Sequence, residues 1–123
     1  MLVRDIMSSN VVTIPSDTYV LDAERTMESH KISRLPVVEE GRLVGIVTKD
    51  DILKASPSAA TPYNQPQLFY VMSKLTVKEI MKTRVLTISP DETIEKAVTV
   101  AQENKIGSMP VVVEGDRIVG IIT

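Results

Sequence analysis

The chain has 123 residues, 43% of them hydrophobic and 24% charged, which excludes a disordered or fibrous protein and leaves one compact domain or two very small ones. Sixteen acidic residues against fourteen basic ones give a net charge of -2, so there is no basic footprint for nucleic acid or an anionic membrane. Cysteine is absent, the start is charged by Arg4 and no apolar run approaches the roughly eighteen residues of a membrane span; a soluble, cytoplasmic protein without disulfides or thiolate-bound metal is expected.

In chain order, the β-branched run Val11 to Ile14 predicts a strand that stops at Pro15. A helix is predicted from Ser16-Asp17 onward, with Val20, Ala23 and Met27 on one face and the lone His30 near its end, where it suits the helix dipole. Two apolar runs follow, Leu35 to Val38 and Leu43 to Thr48, and they flank Glu40-Gly41 as a hairpin turn. Their unbroken apolar character suits strands covered on both faces. Thr48-Lys49-Asp50-Asp51 then opens a second helix through Ile52, Leu53 and Lys54. Residues 55–74 read as a linker. Ala55 to Gln67 holds Pro57, Pro62 and Pro66, and Gln67 to Lys74 predicts a short helix whose Leu68, Phe69 and Tyr70, with Tyr63, anchor the connection. Further on, Ser89-Pro90-Asp91-Glu92 has the form of a capping box with proline at the first helical position. Ile94, Ala97, Val98 and Ala101 set one face of a helix of about fifteen residues. Met109 to Val113 and Ile118 to Ile122 read as a second pair of strands, and the two pairs form the central sheets.

The chain repeats itself. Val3-Arg4-Asp5-Ile6-Met7 returns as Val77-Lys78-Glu79-Ile80-Met81, a shift of 74 positions. At that shift Val11 to Ile14 becomes Val85 to Ile88, Asp17 becomes Asp91, and Pro36-Val37-Val38 becomes Pro110-Val111-Val112. One extra residue, Asp116, moves the shift to 75, and Leu43 to Thr48 then matches Ile118 to Thr123. Each copy reads β-α-β-β-α. Two copies are too few for an open solenoid, which needs about three, so they must bury their faces against each other.

Three elements together resemble the CBS motif: Val3 to Met7 with Val77 to Met81, the run Ile32-Ser33-Arg34-Leu35-Pro36-Val37-Val38, and Gly45-Ile46-Val47-Thr48-Lys49-Asp50-Asp51. The paired copies resemble a CBS pair, or Bateman module. The linker length and the lead-in Leu68 to Lys74 are also similar to stand-alone bacterial CBS pairs of the acetoin-utilisation type. The resemblance implies an α/β (α+β) fold of two β-α-β-β-α motifs related by a pseudo-twofold in one compact module. Motif 1 would cover residues 1–54 and motif 2 residues 75–123, the second left C-terminally incomplete inside its Gly-x-x-Thr element at Thr123.

The resemblance also implies clefts that take AMP, ADP, ATP or S-adenosylmethionine as regulatory ligands, with no cofactor required. The Gly-x-x-Thr-x-x-Asp element supplies the ribose contacts, which fall on Thr48 and Asp51. A carboxylate is acceptor-only and can receive both vicinal hydroxyls, and a threonine hydroxyl at a helix start can reach the sugar or a phosphate oxygen. The same two residues equally make an ordinary capping box, and the roles can coexist. Arg34 aligns with a position that often carries a phosphate-binding basic residue, and Pro36 and Pro110 shape the cleft wall, although a solvated surface arginine and edge-strand proline are equally ordinary explanations. By the resemblance each cleft is composite. One joins Thr48 and Asp51 to Val85, Thr87, Ile106, Ser108 and Pro110; the other joins Thr123 to Val11, Thr13, Ile32, Arg34 and Pro36.

Three functions compete: a sensor of an adenosyl ligand acting on an unknown protein target or fused domain, a ligand-free dimerisation scaffold, and a small enzyme. One histidine, no cysteine and five scattered glycines offer no nucleophile–base pair, metal cluster or phosphate loop, so no catalytic or metal-binding residue is assigned. Val100 widens the apolar stripe of the second long helix, which predicts a homodimer through the long helices.

Overall fold

The computed structural model of the chain describes residues 1–56 and 64–123. Pro57, Pro62 and Tyr63, on which part of the linker reading rests, lie outside the described residues. The first repeat runs through a single-turn helix α1 (Val3–Ile6), a short strand β1 (Ile14–Pro15), helix α2 (Val20–His30), strands β2 (Arg34–Glu39) and β3 (Arg42–Thr48), and helix α3 (Lys49–Ala55). Helix α4 (Gln65–Lys74) leads into the second repeat, which has a single-turn helix α5 (Val77–Ile80), helix α6 (Ile94–Asn104) and strands β4 (Met109–Val113) and β5 (Arg117–Ile122).

Repetition extends to backbone detail. Glu40 and Gly41 both have positive φ, 52° and 79°, the conformation of a two-residue hairpin turn that matches strand twist. In the second hairpin the extra residue makes a 3₁₀ turn over Glu114–Asp116, with Gly115 at φ 79° and Asp116 at φ 61°, and a register shift follows between Val111 and Val112. Both long helices end on a left-handed lysine, Lys31 and Lys105, each at φ 54° and ψ 45°. The next N–H folds back in both, from Ile32 to the Met27 carbonyl at 2.9 Å and from Ile106 to the Ala101 carbonyl at 3.0 Å. His30 and Asn104 close the same turn, each bonded to the carbonyl four residues earlier.

Three local readings are corrected. Residues 11–13 make no ladder, and the strand is Ile14–Pro15, paired parallel to β2 through Ile14 with Val37 and Pro15 with Val38. Ser89 to Glu92 is a turn outside the helix: Thr93 is the N-cap, its hydroxyl accepts the Lys96 N–H at 3.2 Å, and α6 has 11 residues. Likewise α2 starts at Val20 rather than near Ser16. Nor are the two hairpins wholly separate sheets, since the strand order is β1-β2-β3-β5-β4, with β3 and β5 sharing the single register pair Arg42 with Arg117.

The compact units of the fold cut across the repeats. The first comprises Met1–Val12, Glu40–Leu43 and Arg84–Thr123; the second comprises Thr13–Glu39 and Val44–Thr83. Each lead-in helix thus belongs with the long helix of the other repeat. In the first unit the Val3 N–H donates to the Glu92 carbonyl at 2.8 Å and the Arg4 N–H to the Pro90 carbonyl at 3.0 Å. In the second the Val77 N–H donates to the Thr18 carbonyl at 2.8 Å and the Lys78 N–H to the Ser16 carbonyl at 3.1 Å. Val3 and Val77 are fully buried, Val3 in a core with Ile88, Ala97, Met109 and Val111. Burying one valine contributes about 1.5–3 kcal/mol, similar to the two backbone bonds at about 1 kcal/mol each. The Val-x-x-Ile-Met signature is therefore a docking segment, with the valine as its anchor.

Candidate ligand-binding site

Among the described residues the buried polar or charged side chains are Thr48 and Asp51, 8% and 9% exposed. A buried carboxylate is costly unless its charge is met by donors, and both Asp51 oxygens have one. Thr48 ends β3 and caps α3. The Asp51 N–H donates to Thr48 Oγ1 at 3.1 Å, and the Thr48 N–H donates to Asp51 Oδ2 at 2.9 Å. The Lys82 ammonium lies 3.2 Å from Oδ1. Each carboxylate oxygen accepts along two lone-pair directions, so the group retains capacity for a hydroxyl donor. The capping box expected as the ordinary explanation is formed.

The surrounding charges alternate. Asp50 pairs with Lys54 at 2.9 Å, and that hydrogen bond holds the Asp50 carboxyl below its usual range. β2 begins where β3 ends, and the Lys49 N–H donates to the Ser33 carbonyl at 3.0 Å, which sets Arg34 at the Thr48 end of the hairpin. Arg34 is half-buried and makes no ion pair among the described residues. Ile32 and Thr13 are half-buried, and Pro36 is fully buried in β2. Because β2 lies between β1 and β3, Pro36 is not an edge-strand proline. Thr13, Ile32, Arg34, Pro36, Thr48 and Asp51 all belong to the second unit.

The remaining expected site residues belong to the first unit. There Ile106, Ser108 and Thr123 line one cavity of about 330 Å³, walled by Ile6, Ala97 and Met109 among others. Val11, Val85 and Thr87 are half-buried and Pro110 is fully buried in β4; none of these lines the cavity. The corresponding face of the second unit, formed by Val20, Ala23 and Met27, is fully buried, and α3 packs there on α2 and α5. Ile94, Ala97 and Ala101, which line the cavity, are the repeat counterparts of Val20, Ala23 and Met27.

Lys82 was missing from the expected set. It follows Met81 directly, and its repeat counterpart is Ser8, so the change from hydroxyl to ammonium at a matched place was the available signal.

The fold carries a lead-in helix, a long helix and a β-hairpin in each of two sequence repeats, which is the form of a tandem module. The family model of the CBS domain matches residues 3–58 and 77–123, so the chain belongs to the CBS domain family and carries its motif twice, as a Bateman module. Protein MJ1225 from Methanocaldococcus jannaschii, described as a proposed archaeal homolog of g-AMPK, is similar with a TM-score of 0.90 and 36% identity, over 99% of this chain and 44% of that one. The CBS domain pair of protein MJ0100, solved with 5′-methylthioadenosine and S-adenosyl-L-methionine, has a TM-score of 0.78 and 33% identity, over 100% and 92%. A Vibrio cholerae protein assigned to acetoin utilization has 0.85 and 30%, over 100% and 84%. The L-aspartate semialdehyde sulfurtransferase of Methanocaldococcus jannaschii is 34% identical over 123 residues, and the chain spans 21% of that protein's length. No helix among the described residues is long and apolar enough to cross a membrane.

Proposed function

We propose that this chain is a regulatory module that binds an adenosine-containing ligand and transmits the binding to a partner protein or fused domain, without catalysis of its own. Residues 1–54 and 75–123 serve as the two motifs, joined by residues 55–74. The observation that carries the reading is the buried, donor-supplied carboxylate of Asp51 beside the Thr48 hydroxyl. Its support from relatives is the CBS pair of MJ0100, whose structure holds two adenosyl compounds at 33% identity. In this reading Thr48 and Asp51 receive the ribose hydroxyls of one ligand, and Arg34, which belongs to the other expected cleft, meets a phosphate. The test is a thermal-shift screen with adenosine, AMP, ADP, ATP and S-adenosylmethionine. A ligand at a hundred times its dissociation constant adds about 2.7 kcal/mol of stability. No shift with any of the five overturns the reading.

A second reading, a dimerisation scaffold, is favoured by exposed apolar side chains: Phe69 and Tyr70 on α4 are 68% and 65% exposed, and Val98 on α6 is 47% exposed. Such surface suits a second copy of the chain. The thermal-shift screen separates the two readings, since a ligand-free scaffold shows no shift; a monomer in sedimentation at tens of micromolar removes the scaffold.

A further inference from the structure

Lys82 stands in an unusual position. Its backbone is clamped to β3 by a reciprocal pair of hydrogen bonds with Ile46, both 2.9 Å, while its ammonium reaches Asp51 Oδ1 at 3.2 Å. The lysine side chain is 58% exposed and that of Asp51 only 8%. The ammonium thus lies at the solvent side of the carboxylate, where any ligand donating to Oδ1 must approach. An ammonium has three N–H donors, and Asp51 uses one.

The other repeat supplies a comparison within the same molecule. Ser8 makes the same reciprocal clamp, with Ile121, again at 2.9 Å in both directions. The backbone arrangement therefore needs no lysine, and the ammonium is an addition to the clamp beside Asp51. Without it, the adjacent Asp50 and Asp51 carboxylates would repel an anion brought to the ribose reader. With Lys82 on Asp51 and Lys54 on Asp50, both carboxylates are matched by a cation. Lys49, exposed beside them, leaves a surplus of positive charge.

We propose that Lys82 is a specificity-determining residue that neutralises Asp51 and offers its free N–H donors to a ligand phosphate, so that the Thr48–Asp51 reader selects phosphorylated adenosine over uncharged or sulfonium-bearing adenosyl compounds. This rests on the adenosyl reading above. Lys82 is matched to AMP-type anions because a second cation, such as a sulfonium, would be repelled by the ammonium that already holds Oδ1.

The test is calorimetric titration of the full chain and its Lys82→Ser variant with adenosine, AMP and S-adenosylmethionine. Serine is the residue the other repeat carries, and an unchanged urea midpoint within about 1 kcal/mol shows that the clamp survives. The AMP-to-adenosine affinity ratio is expected to fall about tenfold in Lys82→Ser, since one charge-assisted contact is lost. The salt dependence of AMP binding should weaken with it. An unchanged ratio overturns the inference and leaves the adenosyl reading intact, as does binding of S-adenosylmethionine without AMP. Failure of the parent chain to bind any of the three overturns both.

Discussion

The Thr48 hydroxyl and the Asp51 carboxylate each accept the other residue's backbone N–H, at 3.1 and 2.9 Å. That reciprocity makes capping and ligand reading separable by substitution. Asp51→Asn keeps an amide oxygen for the Thr48 N–H but removes the charge. Its stability should stay within about 1 kcal/mol of the parent, whereas nucleoside affinity should fall roughly ten- to a hundredfold. Asp51→Ala also leaves the Thr48 N–H without its acceptor, while the Thr48 hydroxyl still caps the N–H of residue 51, and should cost about 1–3 kcal/mol more. Urea midpoints and titration calorimetry on both variants check this. Parent-like binding by Asp51→Asn would make the carboxylate a cap and nothing further.

The sequence disclosed this pair because its chemistry is local. Thr48 and Asp51 are three residues apart, and both roles follow from one helix start. The Glu40-Gly41 turn was legible through Gly41, because glycine takes the positive φ of a tight turn without steric cost, and Glu40 adopts its own positive φ beside it. Ser89 to Glu92 misled because its composition satisfies a capping pattern. The structure instead holds that turn from outside, through the Val3 and Arg4 N–H groups on the Glu92 and Pro90 carbonyls, and the helix waits until Ile94. Nothing local says that Val3 docks with the long helix of the second repeat. Val3 to Met7 and Val77 to Met81 are near-identical, so their pattern fits either partner. Lys82 was hidden for the same reason: its partner lies 31 positions away and is reached only through the clamp on Ile46.

Acid should weaken the second unit through Glu39. The Ser16 hydroxyl and then the Ser16 N–H, the latter at 2.9 Å, donate to its carboxylate and hold its pKa below the usual glutamate range. A folded-state pKa that is depressed contributes stability that is present above the unfolded value and lost as pH falls through the folded one. Glu79, lowered by the Thr76 N–H at 2.7 Å, has the same sign. Urea midpoints of the parent should therefore decline over roughly pH 5 to 3, and the decline should be shallower in a Glu39→Gln, Glu79→Gln double variant. Parallel curves would mean that these bonds form equally with the protonated acids.

The lead-in clamps make two glycines intolerant of any side chain. A Cβ on Gly45 would lie 2.6 Å from Met81 Sδ and 2.9 Å from the Lys82 carbonyl oxygen; on Gly120 it would lie 2.6 Å from Met7 Sδ and 3.0 Å from the Ser8 carbonyl oxygen. The methionine thioether can rotate aside. The carbonyl cannot, because Lys82 C=O accepts the Ile46 N–H and Lys82 N–H donates back, so relief requires breaking the clamp. Overpacking of this kind costs about 1–3 kcal/mol, and Gly45→Ala should reach at least the cost of Gly120→Ala because its backbone contact is the closer. Adding Met81→Ala to Gly45→Ala removes the sulfur contact and leaves the carbonyl contact, so the second change should recover less than the first one cost. Urea midpoints of the four chains check the order. Gly45→Ala carries a second, independent signature. Pushing the Lys82 backbone outward draws its ammonium from Asp51, so the AMP-to-adenosine affinity ratio should fall in Gly45→Ala and hold in Gly120→Ala, where the matched residue is Ser8. A Gly45→Ala chain with parent stability and an unchanged ratio would show that the segment after α5 yields freely, and that the clamp does not position Lys82.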